Sequence, residues 1–265
     1  VAPAEGMLRV RVSMKIENPG ERRELRFLFT KPARIAKAVQ RSEGREWPVK
    51  MRFTQPAAAP WYGSVILALA KPTRAVHLQL EYVYDERTFA GHATNPATLD
   101  PLHVGQLTRE SIYSSHLNYY PRPVDKQNPF REQARISVTC PEPWVAVSSG
   151  VLVGTNRDVV AKQRTYHYRM DFSSGRLPYP LALYPYRTTA LKYRGRLPVT
   201  IYHADKDTGF AQEKLRLIES RILPFLERIM GPFPYPQLRI VEVFPRAGNT
   251  GLAARSLVML SQKRW

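Results

Sequence analysis

The stretch DTGFAQEKLRLIESRILPFLERIMGPFPYPQLRIVEVFPRAGNTGLAARSLVML, residues 207–260, decides the fold. Apolar residues recur there at steps of three and four in Phe210, Leu215, Ile218, Ile222, Phe225, Leu226 and Ile229. That spacing predicts a helix over 207–230 with one buried face and with Glu213, Lys214, Glu219 and Arg228 outside it. Asp207 or Thr208 caps its first turn, Gly231 stands where a left-handed C-terminal cap belongs, and Pro232, Pro234 and Pro236 forbid continuation. Pro224 removes one helical hydrogen bond and predicts a kink near Ser220. Leu238, Ile240, Val241 and Val243 then predict a strand over 238–244, a loop of small residues follows, and a second apolar run reaches Leu260.

Upstream, alternation replaces helical spacing. Leu8, Val10, Val12, Met14 and Ile16 share one side of a strand whose other side is mainly charged. Asn18-Pro-Gly turns the chain, and Leu25, Phe27 and Phe29 continue as a second strand, so a hairpin is expected. Further strands are read at 49–53, 65–69 and 76–84, the last with Val76, Leu78, Leu80, Tyr82 and Tyr84 in register. Residues 87–123 lose the alternation and carry His92, His103 and His116, as a long loop would. Strands resume at Ala134, Ile136, Val138 and Cys140, at 145–147, at Tyr166, Tyr168, Met170 and Phe172, at 181–186 and at 197–205. Short runs between turn signals suggest an antiparallel sheet or sandwich, and no internal repeat is evident.

The 265 residues suffice for two domains, and aromatics at 11% with 23 prolines argue for a mostly β protein. The single cysteine, Cys140, has no partner for an internal disulfide and reads as a core residue. Lys+Arg 40 against Asp+Glu 22 gives +18, spread along the whole chain. Such a spread marks a solvated basic surface and permits weak attraction to an anionic surface. No apolar run reaches the eighteen or so residues a membrane-spanning helix needs. Val1-Ala-Pro-Ala-Glu lacks an initiator methionine and a basic-then-apolar leader, which suggests a mature or trimmed product.

A helix, the Gly231-Pro-Phe-Pro-Tyr-Pro236 break, a strand, a Gly-rich loop and an apolar run resemble the opening of the catalytic domain in zinc aminopeptidases of the aminopeptidase N and leukotriene hydrolase type. Pro141-Glu-Pro-Trp144 with the following strand and Ser148-Ser-Gly150 looks like the saddle-shaped β-domain that precedes it. The resemblance implies a mainly β fold: an antiparallel β-sandwich domain at 1–196, then the incomplete start of an α+β thermolysin-like domain at 197–265, with the hand-over near Arg196. It implies a cleft-lining role for Tyr119, Tyr120, Arg122, Gly248, Asn249, Gly251 and Ala253. It also implies zinc and a peptide substrate in a longer parent, in which the remainder of the catalytic domain is the chain's partner. Two departures weaken the match. Lys126 follows Asp125 where the family has Glu, and matching Ser256-Leu257-Val258 to Gly-Leu-Ile puts Ala253 and Ala254 where the family has Glu and Asn. Alanine accepts no hydrogen bond from an ammonium group.

A family zinc site needs H-E-x-x-H on one helix, with two imidazoles on one face and a Glu as general base. None of the six histidines, His77, His92, His103, His116, His167 and His203, has another four residues on, so this chain is expected to be inactive alone. In the family the motif lies beyond the point reached at Trp265, and a fragment is the expectation. His92, His103 and His116 with Asp100 form a weak candidate metal set, and His203 with Asp205 a local hydrogen bond. No Gly-x-Ser-x-Gly segment, phosphate loop or specific nucleic-acid module is present, although tyrosines interleaved with Arg122, Arg176 and Arg187 could stack on bases. The competing reading is a non-enzymatic basic β-sandwich that binds an anionic polymer, a membrane surface or a partner protein. The compartment stays open, with a periplasmic or secreted parent favoured.

Overall fold

Alternating strands in the computed structural model, which describes residues 7–18, 20–54, 63–89, 91–94, 101–109, 111–114, 121–123, 131–173, 180–204, 208–244 and 251–261, belong to two compact units, Val1–Phe130 and Arg131–Trp265. In the first, β1 (Met7–Glu17) turns Leu8 and Ile16 inward and Arg9, Arg11 and Lys15 to solvent. It is followed by β2 (Glu24–Leu28), β3 (Arg34–Ser42), β4 (Arg45–Pro48), β5 (Lys50–Thr54), β6 (Ser64–Ala68) and β7 (Ala75–Asp85).

The expected hairpin of β1 with β2 does not form. Strand β1 pairs antiparallel along its length with β7, from Met7 opposite Asp85 to Glu17 opposite Ala75, and β2 pairs with β6. The reason lies in the turn. Asn18 accepts the Arg22 N–H at 3.0 Å and donates to the carbonyls of Arg22 at 3.0 Å and Thr73 at 3.1 Å, so the turn is tied to the start of β7 and delivers β2 to another sheet.

A short helix α1 (Glu86–Phe89) follows, capped by reciprocal bonds in which Thr88 N–H reaches Asp85 Oδ1 at 2.8 Å and Asp85 N–H reaches Thr88 Oγ1 at 3.0 Å. Then come β8 (Gly91–Thr94), β9 (Pro101–Leu107), β10 (Ile112–Ser114) and β11 (Arg122–Pro123). Strands order as β1-β7-β3-β4 in one sheet and β11-β2-β6-β5 in another. Their inner faces meet as a sandwich: Phe27, Phe29, Val65 and Leu67 are buried with Val76, Leu78, Leu80, Tyr82 and Tyr84. Phe29 stands edge-on to Tyr82 with centroids 4.9 Å apart, and the buried Tyr84 hydroxyl donates to the Thr30 carbonyl at 2.6 Å.

In the second unit β12 (Arg131–Pro141) is followed by β13 (Val145–Ser148), β14 (Val151–Asp158), β15 (Gln163–Ser173), β16 (Leu181–Tyr184), β17 (Arg187–Tyr193) and β18 (Leu197–His203). Strands β12, β15 and β14 form one antiparallel sheet. One face of it buries Val138, Cys140, Tyr166 and Tyr168, while Thr139 bonds Thr165 across the other at 2.8 Å. The expectation that Cys140 belongs to the core is met: it is buried and its thiol, pushed up to about 11 by burial, donates to the Trp144 carbonyl at 3.3 Å.

The organising stretch completes this unit. After β18 the chain enters α2 (Thr208–Leu217), a π-helical turn over Ile218–Ile222 and α3 (Leu223–Met230), then β19 (Leu238–Val243), β20 (Gly251–Ala254) and β21 (Leu257–Ser261). The sheet order is β17-β18-β19-β21-β20, with β18, β19 and β21 parallel, and it takes in β17, upstream of Arg196. The helix connects two parallel strands, as a crossover must.

The extent of this helix matches the expectation; its face does not. Ala211, Leu215, Ile218 and Leu223 pack with Tyr193, Val199, Ile201, Leu238 and Ile240, whereas Phe210, Ile222, Phe225, Leu226 and Ile229 stand exposed. The π-helical turn is the cause. It holds one more residue than an α turn, so the segment after it is set back by roughly 100°. Leu223 thereby turns inward, and the apolar residues of α3 turn out. The turn takes the place of the kink expected from Pro224, which sits in the first turn of α3, where its missing N–H costs least. At the far end Gly231 has φ 82°, a value that favours glycine, and its N–H closes on the Glu227 carbonyl at 2.9 Å.

Candidate functional site at the carboxyl end of the mixed sheet

Of the residues expected to line a cleft, Gly251 and Ala253 lie on β20, the last strand in the order of the mixed sheet, and both are exposed. Their strand pairs antiparallel with β21, Gly251 opposite Leu260 and Ala253 opposite Val258. Gly251 needs no special backbone here: a Cβ would meet Leu260 and the Met259 carbonyl at 3.9 Å, ordinary contact. Arg122 lies in the first unit, on β11 opposite Leu28. Tyr119, Tyr120, Gly248 and Asn249 fall outside the described residues.

The strongest electrostatic feature of the sheet is one the sequence reading missed. Arg239 interrupts the apolar run of β19, and all six residues of that strand are buried. Its side chain is 2% exposed, on the face of the sheet opposite α2. The guanidinium lies over the Tyr168 ring at 4.9 Å, and its Nη2 donates to the Gly150 carbonyl and, at 3.2 Å, to Ser256 Oγ. Nε and Nη1 are buried with no partner among the described residues. Burial lowers its pKa from the usual guanidinium value, partly offset by the nearby Tyr168 and Tyr202 hydroxyls.

Ser256 completes this cluster and shapes the hairpin that carries β20. It adopts φ 57° in the two-residue turn between β20 and β21, a left-handed conformation uncommon for a residue with a Cβ. Its hydroxyl donates to the Gly150 carbonyl at 2.8 Å, and its own carbonyl accepts the Arg239 N–H at 2.9 Å. These bonds hold the turn and so fix where the edge strand starts and ends.

At the carboxyl end of β19, Glu242 is buried and its Oε2 accepts the Ala204 N–H at 2.8 Å. Tyr186 donates to the Glu242 carbonyl at 2.7 Å, and burial raises its pKa well above the usual phenol value. His203 is buried beside them with Nε2 3.0 Å from Thr189 Oγ1, while its expected partner Asp205 lies outside the described residues.

A second hydroxyl–imidazole pair lies on another sheet. Ser137 and His167 oppose one another across β12 and β15, with Oγ and Nδ1 2.9 Å apart. His167 Nε2 has no partner among the described residues, so no carboxylate orients the ring as a catalytic base would require. His92 and His103 are register partners of β8 and β9, and Asp100 and His116 fall outside the described residues. Among the described residues no three of His, Cys, Asp or Glu converge, and the residues present do not fit a zinc centre.

No protein-family model matches the chain, and no curated protein is similar to it in sequence. Solved structures are similar in fold. An M1 zinc metallopeptidase from Deinococcus radiodurans, in a variant bound to a Tyr-Ser-Ala substrate, superposes with a TM-score of 0.65 at 17% identity, over 100% of this chain and 58% of that one. The same organism's M1 zinc metallopeptidase without that substitution gives 0.63 at 17%, over 98% and 57%. An aminopeptidase N family protein from Idiomarina loihiensis gives 0.57 at 14%, over 99% and 42%. This chain therefore spans less than two thirds of the length of these structures, and what it shares with the M1 zinc metallopeptidases is the β-rich fold of their N-terminal part.

Proposed function

We propose that the chain is the non-catalytic front portion of a protein like the zinc metallopeptidases of the aminopeptidase N type, with a β-domain that caps the substrate cleft and hands over near Arg196 to the first elements of the catalytic domain. The observation that carries this reading is the mixed sheet ending in the exposed edge strand β20, in a chain whose whole length follows the fold of such peptidases. An edge strand offers backbone N–H and C=O groups in a row, the means by which an extended peptide is added to a sheet. Zinc and the general base belong to a longer parent, so no catalytic step is assigned to the residues described above. With Ala253 and Ala254 where the resembled family has Glu and Asn, the parent recognises a free peptide N-terminus poorly.

The test is the intact mass and reading frame of the native gene product, with its zinc content. The expected product runs on past Trp265 into H-E-x-x-H and a later Glu, binds one zinc ion and cleaves peptides. A product without those ligands sinks the peptidase reading.

One observation favours a second reading, a module that binds an anionic polymer. Arg9 and Arg34 flank Val83, Arg11 and Lys37 flank Glu81, and Lys15 and Arg41 flank His77 across the outer face of β1, β7 and β3. Glu81 and Glu46 neutralise part of this face through Arg11, Lys37 and Arg41. Binding of polyphosphate that weakens steeply with added salt supports this reading, and no retention at low salt refutes it.

A further inference from the structure

We propose, on the reading of β20 as a peptide-binding edge given above, that Arg239 is a positioning residue for that strand: acting through Ser256, its buried guanidinium holds the β20–β21 hairpin in one place. Within this chain Arg239 is 2% exposed and Ser256 3%, and whatever packs beside them can only bury them further. Three donors converge there on one acceptor. The Gly150 carbonyl, from the link between β13 and β14 where the backbone turns at φ 90°, accepts from Arg239 Nη2, from Ser256 Oγ at 2.8 Å and from Gln237 Nε2 at 3.4 Å. Ser256 Oγ in turn accepts from Arg239 Nη2 at 3.2 Å, so its single proton is directed at Gly150 and its rotamer is fixed.

The side chain that Arg239 orients belongs to the residue that shapes the hairpin, since Ser256 carries φ 57° in the turn Arg255-Ser256. Strand β20 has few other restraints among the described residues: it pairs with β21 alone, and of its four residues only Ala254 is buried. A two-residue turn closes on a hydrogen-bonded pair, here Ala254 with Leu257, and alternation makes Leu252 with Met259 the next. The N–H groups of Gly251 and Ala253 therefore point away from β21, and a shift of the turn moves both together. A buried guanidinium with two unpartnered donors adds little to stability; what it supplies is a single conformation.

The experiment is amide hydrogen exchange followed residue by residue by NMR on the purified chain, which reads local opening apart from global unfolding. Arg239→Met is expected to speed exchange at Leu252 and Ala254 ~3- to 10-fold, the range of one side-chain hydrogen bond, with Val199, Ile201 and Ile240 unchanged or slower. Ser256→Ala, which loses the hydroxyl and keeps a Cβ at φ 57°, is expected to speed the same two amides at least ~30-fold. Ser256→Asn, at ease in the left-handed region and able to donate to Gly150, should restore them to within ~3-fold of wild type. Uniform acceleration across the mixed sheet in Arg239→Met overturns the proposal, because it assigns the cluster to stability alone. Unchanged exchange at Leu252 and Ala254 in both Arg239→Met and Ser256→Ala overturns it as well. In the longer parent, Arg239→Met is expected to raise KM for an internally quenched peptide ~3- to 10-fold with kcat within about twofold, since backbone pairing at β20 holds substrate and transition state alike. An unchanged KM alongside faster exchange overturns the link to the peptide. A parent without zinc ligands sinks the peptidase reading and leaves the exchange data to decide the positioning.

Discussion

Replacing Arg239 with methionine is expected to leave the second unit as stable as before or to strengthen it. Arg239 is buried, with Nε and Nη1 unsatisfied and no carboxylate beside it among the described residues. The substitution loses a charge-assisted hydrogen bond to Gly150, a weaker one to Ser256 and the contact with Tyr168. Together these are worth about 5 kcal/mol. Against that stands the desolvation of a guanidinium, several kcal/mol, and about 1–3 kcal/mol for each buried N–H left without a partner. The two sides differ by about 0 to 3 kcal/mol in favour of methionine, which fills similar volume with no polar atom. The Gly150 carbonyl keeps an acceptor role, since Ser256 Oγ–H still donates to it at 2.8 Å. Thermal unfolding followed by circular dichroism, with urea titration at 25 °C, reads the outcome. At ~3 °C per kcal/mol the midpoint should stay put or rise by up to ~9 °C. Arg239→Lys keeps the charge and loses the planar donor set, and should unfold at least ~5 °C earlier. A loss of more than ~2 kcal/mol in the methionine variant would refute this accounting and would mean that the two idle donors do hold a group.

Other outcomes follow from the same geometry. Leu215→Ala, which empties a buried site between the helix and β18, should cost about 2–5 kcal/mol in urea unfolding, while Leu226→Ala on the outer flank should cost under ~1. The Cys140 thiol, raised by burial, should be inert to a disulfide reagent at pH 8 in the folded protein and react at once in denaturant; rapid modification of the native chain would show that β12 opens. Glu142 is held below the usual carboxylate range chiefly by its hydrogen bond to Arg157, with Arg164 adding to it. Its ionised form therefore favours the folded state above the ordinary carboxylate pKa, and the contribution disappears as pH falls through the depressed value. Glu142→Gln should accordingly be less stable than wild type at pH 7 and equal to it near pH 2, and a difference that persists in acid would assign the effect to packing.

Strand positions were legible because burial of one face forces alternation, and Val76 through Tyr84 or Tyr166 and Tyr168 sit where that pattern puts them. Strand partners were not legible, because alternation says which face is wet and nothing about the neighbour. Asn18, whose side chain links the first turn to Thr73, decides the pairing of β1 with β7 through contacts 55 residues apart. The helix over 208–230 was legible in extent for the same reason that its face was not. Spacing presumes a constant twist, and the π-helical turn breaks that constancy. Arg239 was visible in the sequence as a charge inside an apolar run, and the signal was available: a strand bounded by parallel neighbours is covered on both faces, so a charge within it needs company. The hydroxyl of Ser256 and the carbonyl of Gly150 that supply it are remote in sequence, and only the fold assembles them. For the cleft residues, the sequence put Gly251 and Ala253 in a loop of small residues, whereas they lie on the edge strand β20, where the alanine side chain leaves backbone groups as the only donors and acceptors.

The π-helical turn at Ile218–Ile222 has a genetic meaning as well as a geometric one. Its surplus of a single residue is an arithmetic property of the gene, removable by deleting one codon and by no substitution. Loss of Glu219 or Ser220 would restore an unbroken α-helix and leave the later residues in phase, with Leu223 still inward and Phe225 and Ile229 still outward. Lineages that lack this codon should therefore show the same inward and outward positions over an uninterrupted helix, so the residue can be gained or lost at this one place without repacking the sheet beneath it.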